Sequence, residues 1–196
     1  MSVSAEPVRQ PAAFSHCPSC GHRFPEGAAW PRRCAACGQV AYRNPVPVVV
    51  LAVPVKDSAP RREIPPGPDM CRYATHIRPD AGVLGLLMVR RIEPPAGLAL
   101  PSGYIEHGER WQDAGARELE EETGVRVDPA AIREWRVRSG DDGTLLVFAT
   151  VPPVDRAELD GFRPSAEVSE LVVVSGPRED VVFPLDADVV AAFQAS

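Results

Sequence analysis

Apolar positions along this chain fall into blocks whose period changes from place to place. The longest block is Val46 to Val55, VPVVVLAVPV, broken only by two prolines. A continuous run of that length predicts a buried strand and is too short to span a membrane. VLGLLMVRRI, Val83 to Ile92, is expected to be its partner. Between the two lies KDSAPRREIPPGPDMCRYATHIRPDAG, rich in Pro and Asp and longer than an ordinary connection, which reads as a mobile loop in preference to a functional lid. EPPAGLALPSGYIEHGE reads as a further loop. From Arg110 to Thr123 the pattern predicts a helix that stops at Gly124, a residue suited to a C-terminal cap. DPAAIREW predicts a short second helix. RVRSG, GTLLVFATV and SELVVVSG predict strands, the first two joined by the turn GDDG, and LDADVVAAFQAS predicts a closing helix. Strands alternating with two or three helices imply a mixed α/β domain. No repeat of fixed period interrupts the pattern.

Composition adds bounds. With 196 residues, 44% hydrophobic and 24% charged, the chain fits one ordinary domain and a small appendage. The net charge of −6 argues against a general nucleic-acid coat, which needs clustered Lys and Arg. The charge is uneven: between Ala13 and Pro45, Arg23, Arg32, Arg33 and Arg43 face Glu26 alone. The opening MSVSAEPVRQPAAF has no basic start followed by an apolar stretch and a cleavage site, so the expectation is a cytoplasmic protein without a membrane anchor.

Four of the five cysteines form two C-x-x-C pairs, Cys17 with Cys20 and Cys34 with Cys37, each followed by a glycine, Gly21 or Gly38. Two such turns at this separation can close a tetrahedron of thiolates around Zn²⁺. Disulfides are the alternative, disfavoured in a reducing compartment, and iron uses similar knuckles. Four thiolates leave no open coordination position, which makes a bound zinc structural. A segment this small needs the metal to fold, with Phe14, Phe24, Trp30 and Tyr42 as its expected miniature core. His16 and His22 read as surface residues. Cys71 and His76 lack an acidic partner nearby and carry little weight as a catalytic pair.

The segment ARELEEETGVRV packs Glu118, Glu120, Glu121 and Glu122 into five positions. On a helix, Glu118, Glu121 and Glu122 share one face, while Glu120 points elsewhere. Arg117, four residues before Glu121, is placed to pair with it. Glu118 and Glu122 repel by a few tenths of a kcal/mol unless a cation lies between them. Carboxylate oxygens on a rigid scaffold suit Mg²⁺ or Mn²⁺; a solvated acidic face is the alternative.

Read from Gly103, the chain runs Gly103, five residues, Glu109, seven residues, Arg117-Glu118-Leu119, one residue, Glu121-Glu122, one residue, Gly124-Val125. This resembles the Nudix hydrolase box at every defined position. The resemblance implies an α/β/α sandwich with a mixed sheet, preceded by a zinc ribbon. Together with the cysteine pairs, it leads us to expect a disordered tail at 1–12, a ribbon at 13–43 and a Nudix domain at 44–196, with the Pro-rich insertion at about 56–82. It implies Glu118, Glu121 and Glu122 as ligands of Mg²⁺ or Mn²⁺, with the backbone carbonyl near Ser102 and Gly103 closing the site. Arg117 would be the orienting residue and Glu109 the carboxylate that supports it. For the general base, Glu118, Glu167 and Glu170 are candidates.

The implied activity is metal-dependent hydrolysis of the diphosphate in a nucleotide such as FAD, ADP-ribose or NADH, by water attack at phosphorus. The ribbon ahead of the box resembles that of NADH pyrophosphatases and of a group similar to FAD and ADP-ribose pyrophosphatases. The Ser-Gln-Pro-Trp-Pro-Phe-Pro run of the former is absent after Val125. Also absent is the proline found about fifteen residues past the box in many ADP-ribose pyrophosphatases. A homodimer is compatible with the resemblance. Two other readings compete: a non-catalytic Nudix-fold ligand sensor, and an RNA-binding or decapping protein that uses the basic ribbon.

Overall fold

The computed structural model describes residues 15–57 and 82–194. The expectations for the tail at 1–12, Phe14, Cys71, His76 and the insertion between Asp57 and Gly82 lie outside the described residues. The chain divides between Pro45 and Val46 into two units.

In the first unit, β1 (Arg32–Arg33) pairs antiparallel with β2 (Val40–Ala41). Cys17, Phe24, Cys34 and Ala41 are buried together, with Trp30 packed against them. The Arg32 guanidinium lies over the Trp30 ring, 4.4 Å from its centroid. Tyr42 is 65% exposed, contrary to its expected place in this core. Alternation along the strand turns Ala41 inward, and the next residue outward.

In the second unit, two sheets share one continuous stretch of chain. β3 (Val46–Ala52) pairs in parallel with β9 (Thr144–Thr150) and antiparallel with β7 (Ser102–Tyr104), and β8 (Arg133–Ser139) completes that sheet beyond β9. After Val53, β4 (Pro54–Lys56) enters the other sheet, between β5 (Val83–Arg91) and β10 (Val154–Asp155). β5 also pairs with β6 (Gly97–Ala99) and β11 (Val168–Val174). The single strand expected at Val46–Val55 is therefore two, and only the second half pairs with Val83–Ile92. The expected loop at Glu93–Glu109 contains β6 and β7.

The helix α1 (Trp111–Thr123) ends at Gly124, which takes a left-handed conformation at φ 77° and donates its N–H to Glu120 O. The second predicted helix, DPAAIREW, is one 3₁₀ turn, Pro129–Ala131, capped by Asp128. Ile132 is extended and the following residues join β8, because pairing with β9 continues from Arg133 onward. The GDDG turn closes the β8–β9 hairpin, with Gly143 N–H donating to Gly140 O. The helix α2 (Pro184–Gln194) follows β11.

Period-two alternation distributes the sheets over two cores. Val49, Leu51 and Leu87 pack with Ala114 and Leu119 of α1. Val50, Ala52, Leu86 and Met88 pack with Val189, Val190 and Phe193 of α2. Strands covered on both sides must be apolar at every position, which is why β3 and β5 show unbroken hydrophobic runs. The insertion leaves β4 and returns to β5 at adjacent points: Lys56 pairs with Val83, and Asp57 N–H lies 3.4 Å from Gly82 O. No helix among the described residues is long and apolar enough to cross a membrane.

Candidate active site and cysteine cluster

The β6–β7 segment lays its backbone against the acidic face of α1. Ser102 N–H donates to Glu122 Oε2 at 3.0 Å. Glu122 is 8% exposed, and burial pushes its carboxyl up to about 8 against the opposing effect of the Ser102 amide. The charge of Glu118 adds to that rise, and the Arg91 guanidinium opposes it. Glu118 is itself raised by burial, despite its contact with Arg117. Its carboxylate lies directly over Gly103, where an added Cβ would come within 1.8 Å of Glu118 Cδ. Only glycine leaves room for this approach.

Arg117 organises the group. Its Nε and Nη2 donate to Glu109 Oε1 and Oε2 at 3.0 Å each, a two-point grip. Nη1 donates to Glu118 at 2.7 Å and to Glu121 at 3.3 Å, and Nη2 also reaches Tyr104 O at 3.0 Å. The expected Arg117–Glu121 pair exists, but it is the longest of these contacts. The Arg117 pair, with help from the Glu106 amide, holds Glu109 below the usual carboxylate range. Glu120 pairs with Arg126 at 2.8 Å and stands outside the group. Among the general-base candidates, Glu170 is tied to Arg90 at 2.7 Å, while the charge of exposed Glu167 reaches Glu122.

In the first unit the two Cys-x-x-Cys turns have the same backbone pattern. Gly21 N–H donates to Cys17 O and Gly38 N–H to Cys34 O, both at 2.9 Å, and the two glycines take φ 75° and 74°. All four Sγ atoms lie within 4.8 Å of one another, with Cys17–Cys37 at 3.7 Å and Cys20–Cys34 at 3.6 Å. Tetrahedral Zn–S bonds of about 2.3 Å place sulfurs about 3.8 Å apart, so the cluster fits zinc. The thiols are free, and these separations are too long for disulfides. The Ser19 amide leads in holding Cys17 down to about 6, while Cys20, opposed by its own His22 amide, is pushed up to about 12 beside the Cys37 and Cys34 thiols.

A cavity of about 550 Å³ is bordered by Ser102 and Gly103, the backbone that meets Glu122 and Glu118, and none of the glutamates lines it. The sheet residues Val48, Val50 and Leu146, the Ser102–Tyr104 strand, the β8–β9 hairpin and the start of α2 line it, together with Arg91. Asp186, 4% exposed, accepts Leu100 N–H through Oδ2 at 2.9 Å, and burial pushes it up to about 7. The Arg91 guanidinium lies 5.6 Å from the Phe183 ring centroid, and its buried Nε–H has no partner among the described residues.

The NUDIX domain family matches residues 73–187, more than half of the chain, across the whole glutamate site. The chain belongs to the Nudix hydrolase family. Two curated relatives are similar to part of the chain. The mouse ADP-sugar pyrophosphatase is 28% identical over 108 residues, covering 52% of this chain and 50% of that protein. The NAD-capped RNA hydrolase NudC of Escherichia coli is 28% identical over 116 residues, covering 59% of this chain and 35% of that protein. The chain thus spans half or less of the length of these relatives. A Nudix hydrolase structure from Nitrosomonas europaea superposes with a TM-score of 0.53 at 20% identity, over 89% of this chain and 87% of that one, which supports the fold.

Of the box residues, Glu109 and Glu118 meet on Arg117, Glu118 lies over Gly103, Glu122 is held by Ser102, and Glu121 is exposed. The box gives no indication of Arg91, Phe183 or Asp186. A signal for Asp186 was nevertheless present. Asp186, Val189, Val190 and Phe193 are the buried stripe of α2 at i, i+3, i+4 and i+7, and a carboxylate in such a stripe has to be explained.

Proposed function

We propose that the protein is a divalent-metal-dependent pyrophosphatase that cleaves the diphosphate linkage of a nucleotide derivative such as FAD, ADP-ribose or NADH. The observation that carries this reading is Glu122: a carboxylate 8% exposed, beside half-buried Glu118, both pushed upward by burial. Two desolvated carboxylates side by side are costly without a cation, and their hard oxygens suit Mg²⁺ or Mn²⁺. Glu118, Glu121 and Glu122 with the Ser102 carbonyl would hold it. Such a cation supplies charge neutralisation for the diphosphate and a bound water of lowered pKa. The protein's own part is positional: Arg117, gripped by Glu109, fixes Glu118, while Gly103 admits the carboxylate and the Ser102 amide fixes Glu122. Glu167 is the better-placed outside base, since Arg90 engages Glu170. The tail at 1–12, the ribbon at 13–43 and the hydrolase at 44–196 are the proposed domains, with structural Zn²⁺ on Cys17, Cys20, Cys34 and Cys37.

The same anhydride occurs in a free dinucleotide and at an NAD-capped RNA end, the substrate in the name of the Escherichia coli relative. A panel of FAD, ADP-ribose, NADH and NAD-capped RNA with Mg²⁺, read by product identification, separates them. The expected result is cleavage of at least one free dinucleotide between its phosphorus atoms and loss of that activity in Glu122→Gln. No turnover of any member, or an undiminished variant, would overturn the proposal.

A further inference from the structure

The four clustered thiols of the first unit are not equivalent. Cys17 and Cys34 are 3% and 1% exposed, whereas Cys20 and Cys37 are exposed. Each exposed thiol touches a buried one, and in both cases that partner belongs to the opposite turn. Cys37 Sγ lies 3.7 Å from Cys17 Sγ, and Cys20 Sγ lies 3.6 Å from Cys34 Sγ. The asymmetry follows from the backbone, because the same bend occurs twice: Gly21 N–H donates to Cys17 O, and Gly38 N–H to Cys34 O. A disulfide holds its sulfurs about 2.05 Å apart, so each contact is about 1.6 Å short of a bond.

Thiolates react with oxidants where they are exposed. A hydroperoxide entering from solvent meets Cys20 and Cys37 before Cys17 and Cys34. The exposed sulfur attacks one peroxide oxygen, the O–O bond breaks, and a sulfenic acid forms as hydroxide leaves. The buried thiolate in contact then attacks that sulfur; the S–S bond forms, the S–O bond breaks, and a second hydroxide leaves. For each pair, two thiolates are oxidised to one disulfide and one hydrogen peroxide is reduced to two hydroxides.

We infer that Cys20 and Cys37 are oxidation sites for a hydroperoxide, and that each then bonds to the buried thiol it touches, giving the disulfides Cys20–Cys34 and Cys17–Cys37 in place of the four-thiolate metal site. Both bonds cross from one turn to the other, as a metal held by all four thiolates would. They are nested, the pair 14 residues apart lying inside the pair 20 apart. The tie that keeps Phe24, Ala41 and Trp30 packed with Cys17 and Cys34 is therefore retained on oxidation, while the capacity to hold metal is lost. Bonds within a turn, Cys17–Cys20 and Cys34–Cys37, would leave the two turns untied. None of this depends on the pyrophosphatase reading.

The test treats the full chain, purified under reducing conditions, with hydrogen peroxide. Released zinc is read with a chromogenic chelator, remaining thiols are alkylated, and disulfides are mapped by tandem mass spectrometry with fragmentation between the two cysteines of each turn. Cys71 is the fifth cysteine and lies outside the described residues, so a Cys71→Ser chain is mapped beside the unaltered one. The expected result in both is Cys20–Cys34 with Cys17–Cys37, accompanied by release of about one Zn per chain. Bonds within a turn, the pairing Cys17–Cys34 with Cys20–Cys37, sulfinic acids without a disulfide, or thiols that stay reduced in excess peroxide would each overturn the inference. Protein found without zinc at the start would remove the metal reading, and the disulfide pattern would still decide this one.

Discussion

Arg117 holds both oxygens of Glu109 at 3.0 Å while a third nitrogen holds Glu118 at 2.7 Å. The planar guanidinium makes this possible, because its donors point in fixed, divergent directions. A lysine keeps the charge but cannot grip one carboxylate and orient another. Arg117→Lys is expected to lower kcat/KM by about 10- to 100-fold with little change in Tm. A parallel collapse of Tm would show that the arginine merely secures the helix.

Gly103 provides a separation of chemistry from stability. In Gly103→Ala the new methyl meets the end of a flexible side chain, so Glu118 can swing away at small cost to the fold. Activity should fall by at least about tenfold while the denaturation midpoint stays within about 1 kcal/mol of wild type. Full activity in this variant would contradict a role for Glu118 at its present position.

The buried carboxyl of Asp186 sets a pH dependence. Unfolded, it releases its proton near 3.8; folded, near 7. Between these values the native state binds the extra proton, so this group's contribution to stability is full below about 4 and is lost as pH rises toward 7. Asp186→Asn has no proton to release. Relative to that variant, wild type should be more stable at pH 5 than at pH 8, by up to about 3 kcal/mol, since part of the contribution is already lost between pH 4 and pH 5. Urea denaturation at the two pH values measures it, and an identical difference at both would refute the burial argument.

Metal analysis of protein purified without added zinc should find about one Zn per chain. Strong chelation should release it and alter the fluorescence of Trp30, which packs on the cysteine-centred core. Replacing Cys17 with Ser should abolish retention. Stoichiometric iron would assign the cluster to the other metal that such knuckles accept.

Legibility in the sequence followed the source of each constraint. The helix α1 was readable because its start, face and cap are all local, ending at Gly124. The β3–β4 division was not readable, since both halves are covered on two faces and no polar residue marks the change at Val53. Strands as short as Gly97–Ala99 and Ser102–Tyr104 are set by their partners β5 and β3, not by their own Pro- and Gly-rich residues. DPAAIREW carried a true helix start, but pairing from Arg133 with Thr150 of β9 ended it after one turn. In the site, the box residues were legible because their spacing is fixed by one helix and one loop. Arg91 and Asp186 come from distant strands and helices, and only tertiary structure brings them to one cavity.

Lys56 and Val83 face each other as a strand pair, so the two ends of the long connection between β4 and β5 are joined by the ladder itself. For that ladder, the closure entropy of the connection grows by only about 0.6 kcal/mol per doubling of its length. At the ladder, a longer or shorter connection therefore changes the entropy of closure far less than it changes the length of chain.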